Sequence, residues 1–248
     1  SRGRKNAGSD PLQVNADDVD KAARRLLGVA RKTPIQRIDR LSDVAKVPIL
    51  VKREDQQLCR SFKLRGAYNR MAALSNEEKQ AGVVCASAGN HAQGVAMSCG
   101  ALGVQGTIYL PSSTPRQKRQ RIASLGGSWV TLKFVEDDFD GTQKVARQAA
   151  EESGRTYIHP YDDPAVIAGQ GSVAKEIVDE LGDYLATVVI PVGGGGLVAG
   201  MAAWLKENRP DVRIVGVEAA GAASVHASLR AGHPVSLETI DAFVDGTA

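Results

Sequence analysis

The chain has little cysteine and pairs none of it. Its three cysteines, Cys59, Cys85 and Cys99, form no CxxC spacing. An odd count without metal-ligand spacing fits a reducing cytosol and argues against a disulfide framework. No apolar run approaches the ~20 residues that a membrane-spanning helix needs. The start, Ser1-Arg2-Gly3-Arg4-Lys5-Asn6, is polar and has no signal-peptide apolar region. An initiator Met is also absent, which fits a trimmed or partial chain. The net charge is only +3, too small a surplus to indicate a nucleic-acid binder. No low-complexity linker and no convincing internal repeat is found. What remains is 248 residues, 43% hydrophobic and 24% charged, the balance of a soluble globular protein. That length makes roughly one or two domains with a sizeable core.

Strand and helix patterns alternate along most of the chain. Residues 1–14 read as a flexible tail. Asn15 or Asp17 is positioned to cap a helix through Val19, Ala22, Ala23, Leu26, Leu27 and Ala30, with Pro34 limiting it. Ile49–Val51 reads as a short strand and Phe62–Leu74 as a helix. Strands at Val83–Ala86, Thr107–Leu110 and Trp129–Leu132 alternate with helices at Ala92–Leu102, Pro115–Leu125 and Thr142–Glu152. The second half continues with a helix at Ser172–Leu181, a strand at Thr187–Val192, a helix at Leu197–Lys206 and a strand at Arg213–Val217. The run at 187–192 is almost wholly apolar, as in a central parallel strand covered on both faces. The alternation predicts right-handed βαβ units and an open, doubly wound, mostly parallel α/β sheet. Arg116, Lys118, Arg119 and Arg121 read as a solvated helix face or as an anion site.

Three segments carry chemistry. Lys63 lies between Phe62 and Leu64 in Arg60-Ser61-Phe62-Lys63-Leu64-Arg65-Gly66-Ala67. Burial disfavours a charged ammonium, and a neutral lysine amine attacks carbonyls to form a Schiff base. An exposed helical lysine in an ion pair is the plainer alternative. The turn Ser87-Ala88-Gly89-Asn90-His91-Ala92-Gln93-Gly94 links a strand to a helix. Free backbone N–H groups and the positive helix end make such a turn an anion site. Asn90 adds a donor and an acceptor there. Equally, Asn90 serves as a helix cap and His91 as an ordinary histidine. The third segment is Gly193-Gly194-Gly195-Gly196-Leu197. Four successive glycines carry a large entropic cost, which makes sense where backbone must approach a bulky anion such as phosphate. No Walker lysine follows. Glu218, 22 residues after Gly196, leaves a dinucleotide-binding reading open on spacing. A Schiff-base lysine, an anion turn with an amide and a phosphate cradle together point to an aldehyde cofactor with a phosphate. That describes pyridoxal 5'-phosphate.

The same segments, with Lys52-Arg53-Glu54-Asp55, Lys63-Leu64-Arg65-Gly66-Ala67-Tyr68-Asn69 and Pro191–Leu197, resemble the serine/threonine dehydratases. Within that family the biosynthetic threonine dehydratases are the nearest in pattern. The resemblance covers residue 15 to the end. It implies the type II fold of pyridoxal-phosphate enzymes, like tryptophan synthase β, in two subdomains. Residues 15–248 would form the catalytic domain, with a smaller subdomain at about 56–155 inserted in the larger one. Lys63 is implied as the Schiff-base and catalytic lysine, kept neutral by cationic and apolar surroundings. Asn90 would bond the ring hydroxyl oxygen of the cofactor. Gly193, Gly194, Gly195, Gly196 and Leu197 would hold its phosphate. Ser87, Ala88, Gly89, Asn90 and His91 would take the substrate carboxylate. The implied reaction is dehydration and deamination of L-threonine to 2-oxobutanoate and ammonia, by a cytoplasmic homo-oligomer binding no metal, nucleic acid or membrane. L-serine as substrate, serine racemisation, a non-catalytic ligand-binding α/β module and an inactive fragment are the rival expectations. The family's catalytic domain continues past Asp245-Gly246-Thr247-Ala248 and normally supplies the residue at the pyridine nitrogen there.

Overall fold

A computed structural model of the chain describes residues 13–237, 240, 241 and 244. Most of the tail expected at 1–14, and the end at 245–248, lie outside the described residues. Val14 already packs against a hydrophobic core.

Helix α1 (Ala16–Leu26) starts in a capping box: Asp18 donates its N–H to Asn15 Oδ1, and Asn15 donates its N–H to Asp18 Oδ2. Strands β1 (Ile35–Arg37) and β2 (Leu50–Lys52) pair antiparallel around the short helix α2 (Asp39–Ala45). Helix α3 (Lys63–Ala72) follows, then α4 (Asn76–Ala81), opened by a Ser75–Glu78 capping box. Then comes a regular alternation: β3 (Val83–Ala86), α5 (Asn90–Leu102), β4 (Gly106–Pro111), α6 (Arg116–Gly126), β5 (Val130–Val135), α7 (Phe139–Ser153) and β6 (Thr156–Tyr157). These strands form one parallel sheet in the order β5-β4-β3-β6. Val83, Cys85, Ile108 and Leu110 face α3, α5 and α6, while Val84, Ala86 and Tyr109 face Ala146 and Ala150 of α7. Helices thus cover both faces, the doubly wound arrangement.

Helix α8 (Pro164–Leu181) crosses to a second parallel pair, β7 (Thr187–Pro191) and β8 (Arg213–Val217), with α9 (Gly196–Asn208) between them and α10 (Ser224–Ala231) after. Val188 and Ile190 of β7 pack with α1, α8 and α9 in a second core. Helices α8 and α9 meet almost backbone to backbone: a Cβ on Gly200 would lie 2.1 Å from the Ile167 carbonyl oxygen.

Four expectations change. The strand at 187–192 is not covered on both faces: β7 pairs only with β8 among the described residues, and Val189 is 63% exposed. The helices of that core pack on one side of it, so its burial alternates. Helix α8 begins eight residues before the expected Ser172, because Asp163 Oδ1 accepts the Ala165 and Val166 N–H groups and Pro164 occupies the first turn. β1, α2 and α4 are too short to give a periodic signal. The basic stretch of α6 is partly spent locally: Arg119 donates to the Ser112 and Thr114 carbonyls and Arg121 to that of Leu58.

Candidate active site

Lys63 opens α3. Its backbone N–H donates to Ser61 Oγ at 3.4 Å, and its Nζ donates to the Pro160 carbonyl at 2.8 Å, 5.4 Å from the Phe62 ring centroid. Gly94 of α5 lets this turn approach, since a Cβ there would lie 2.9 Å from the Lys63 carbonyl carbon. Burial pushes the amine down from 10.5 to about 8. The cationic surroundings expected around it are not the cause. Arg65, two residues on, points the other way. It is fully buried, bonds Glu54 at 2.8 and 2.9 Å and Glu176 at 2.7 and 2.9 Å, and donates to Ser172 Oγ. Lys52 Nζ joins at 2.7 Å from Glu176. Two cations and two carboxylates balance there, away from the amine.

The Ser87–His91 turn sits at the end of β3. Ser87 donates its N–H to the Tyr109 carbonyl, and its Oγ accepts the Gly89 N–H at 3.1 Å. Gly89 is the N-cap of α5 and offers no side chain, so the N–H groups of the first turn lack an intrahelical partner. Asn90 is exposed at the first helical position rather than at the cap. His91 is buried, and its Nε2 lies 2.8 Å from the Ile158 carbonyl. A carbonyl only accepts, so Nε2 carries the proton. Burial, then the Lys63 charge, lowers this imidazole to about 3 against the opposing pull of the Ile158 bond, so it stays neutral. Ile158 thus takes up Nε2 of this ring.

The glycine loop ends β7 and starts α9. Gly195, the N-cap, has φ +89°, which favours glycine. A Cβ on Gly194 would sit 2.2 Å from the Tyr161 ring, and one on Gly196 3.0 Å from Tyr161 Cβ. Pro160 and Tyr161 therefore connect the site: one carbonyl holds Lys63 and the next residue lies on the glycine loop. Their signal in the sequence is the proline-bracketed run His159-Pro160-Tyr161-Asp162-Asp163-Pro164 ahead of α8. Glu218 does not serve a nucleotide ribose here. Its carboxylate accepts the Val225 and His226 N–H groups at 2.9 and 2.7 Å and caps α10. A separate cleft of about 550 Å³, between α9, β8 and α10, contains neither Lys63 nor Asn90. Among the described residues no cluster of His, Cys, Asp or Glu is arranged to hold a metal.

An amine of lowered basicity beside two helix starts without side-chain caps is suited to a carbonyl compound that carries an anionic group. The fold and site thus define an α/β protein with a half-buried lysine amine of lowered basicity. A model of the pyridoxal-phosphate dependent enzyme family matches residues 26–248, and the chain belongs to that family. The biosynthetic L-threonine dehydratase of Mycobacterium leprae is 48% identical over 235 residues, covering 95% of this chain and 55% of the relative. The chain thus spans about half the length of the curated relatives it matches. The processed form of threonine deaminase isoform 2 from Solanum lycopersicum superposes with a TM-score of 0.86 at 44% identity, covering 96% of this chain and 70% of that one. Maize serine racemase also gives 0.86, at 29% identity over 92% of this chain and 68% of that one. The fold is the type II fold of these enzymes. The residues fit pyridoxal phosphate: Lys63 for its aldehyde, and for its phosphate Gly194 and Gly196, where a Cβ would crowd Tyr161, with Gly195 between them at φ +89°.

Proposed function

We propose that the protein of which this chain is part dehydrates and deaminates L-threonine to 2-oxobutanoate and ammonia, the first step towards isoleucine. The observation that carries this reading is the Lys63 amine, lowered to about 8 and aimed by Pro160 O at 2.8 Å beside the α5 start. The identity to threonine dehydratases supports the choice of substrate. Bound pyridoxal phosphate would supply an electron sink for negative charge at the substrate Cα. Lys63 would hold the cofactor aldehyde and remove the Cα proton. The Ser87–His91 turn would bind the substrate carboxylate through its N–H groups, with Asn90 on the ring hydroxyl oxygen. Gly193–Leu197 would bind the phosphate at the positive end of α9.

In this reading a smaller subdomain at about 56–155, centred on the four-stranded sheet, is inserted in a larger one. The protein acts as a cytoplasmic homo-oligomer without nucleic acid. Among the described residues no helix is long and apolar enough to cross a membrane. Serine dehydration or racemisation is the second reading, favoured by the likeness to serine racemase. Ammonia and 2-oxoacid release from L-threonine and L-serine, beside D-serine formation, separates the two. The full-length Lys63→Ala variant is expected to lose turnover and the cofactor absorption band. Substantial turnover in that variant refutes the assignment.

A further inference from the structure

We propose that His159 is a positioning residue that aims the Pro160 carbonyl at the Lys63 amine. The role in catalysis rests on the function proposed above. His159 Nδ1 accepts two backbone N–H groups, from Tyr161 at 3.2 Å and from Asp162 at 2.8 Å. The Tyr161 N–H and the Pro160 carbonyl belong to one peptide unit. A trans peptide is planar, with its N–H and C=O pointing in opposite directions, and the described chain has no cis peptide. Fixing that N–H on the imidazole therefore fixes the carbonyl on the opposite side, where Lys63 Nζ meets it at 2.8 Å. The same turn sets Tyr161 on the glycine loop, and the His159 and Tyr161 rings meet edge to face at 4.7 Å. One imidazole thus governs the hold on the amine and the cover of the phosphate cradle.

Both bonds need the lone pair of Nδ1, so the ring must be neutral with its proton on Nε2. Its surroundings favour that form. Burial lowers its pKa first and Arg147 of α7 next; Asp162 and Asp163 of its own segment oppose them, and Lys63 of α3 adds a smaller lowering effect. His91 of α5, also nearby, is neutral. Protonation of Nδ1 would replace an acceptor with a donor and break both bonds, freeing the peptide plane to turn.

The test uses the full-length protein with His159→Asn and His159→Leu. Asn Oδ1 can accept N–H groups where Nδ1 does but does not titrate; Leu cannot accept. H159N is expected to keep kcat within about threefold of the parent and to lose an acidic limb of the kcat profile. H159L should lose kcat at least tenfold with little change in KM for the amino acid. In the cofactor-free protein, the pH midpoint for chemical labelling of Lys63 should rise in H159L and stay in H159N, because an unaimed amine swings into water. Equal midpoints in all three proteins overturn the proposal, as does a kcat for H159L equal to that of the parent. Labelling does not depend on turnover, so it judges His159 even if the full-length parent proves inactive towards threonine. If H159L fails to fold, nitrogen NMR of the parent decides. A neutral ring protonated on Nε2 at neutral pH supports the proposal, and an Nδ1-protonated or charged ring overturns it.

Discussion

The acidity of Lys63 is a quantity the structure fixes before any substrate is added. A midpoint of about 8 in place of 10.5 leaves on the order of 10% of the amine neutral at pH 7, against about 0.03% for an ordinary lysine. That is roughly a 300-fold gain in nucleophile, and desolvation supplies it. The sign follows from the cause: burial penalises the ammonium, so the amine releases its proton earlier as pH rises. Competitive acylation of the cofactor-free, full-length protein from about pH 6 to about 11, read by peptide mass spectrometry, measures the midpoint directly. An exposed lysine of the same chain serves as internal reference. Lys63 is expected to react with a midpoint near 8, and Phe62→Ala, which removes the ring 5.4 Å from Nζ, to move it towards 10.5. A parent midpoint above about 10 would refute the argument, because the amine would then be fully hydrated despite its position.

The buried ion network should be costly to break. Arg65→Met leaves Glu176 with Lys52 and Glu54 with only the Thr33 hydroxyl, and is expected to lose about 3–5 kcal/mol in urea denaturation; a loss below about 1 kcal/mol would contradict its structural weight. His91 is held neutral down to about 3 while the unfolded chain protonates near 6.5, so the unfolded state binds the extra proton between those values. Stability should therefore fall as pH falls through that window, by up to about 1.4 kcal/mol per pH unit, and H91N should flatten the slope. Gly194→Ala forces a methyl to within 2.2 Å of the Tyr161 ring and should cost about 1–3 kcal/mol in thermal denaturation. Adding Tyr161→Ala should recover most of that loss, and purely additive effects would show that the ring is not the obstacle.

The parts of this molecule that were legible in its sequence are the parts determined locally. β3 and β8 have the bounds their apolar runs imply, and Gly89 and Gly195 stand at helix starts because strand-to-helix turns are written in consecutive residues. What escaped depends on contacts between distant residues. Lys63 meets Pro160 across 97 positions, and Arg65 meets Glu176 across 111. His91 has the sequence context of a ligand residue, yet its ring is spent on Ile158. β7 reads as a strand covered on both faces because Val189 is as apolar as its neighbours, and only the packing shows that it faces outwards.

The segment around Lys63 is informative because nearly every residue in it has a different obligation. Ser61 Oγ accepts the Lys63 N–H, and Phe62 packs on the core shared by α1, α8 and α9. Lys63 reaches Pro160, and Leu64 is buried at 1% exposure. Arg65 ties α3 to α8 through Glu176, and Gly66 donates its N–H to Gln170 Oε1 at 2.9 Å where a Cβ would strike the Gln170 side chain. Ala67 and Met71 turn the other way, into the core of the four-stranded sheet. Helix α3 is thus the element on which both cores close, and its first residue is the amine. The constraint on this segment is therefore geometric before it is chemical: burial lowers the basicity of the amine, and its neighbours are fixed by the cores they face.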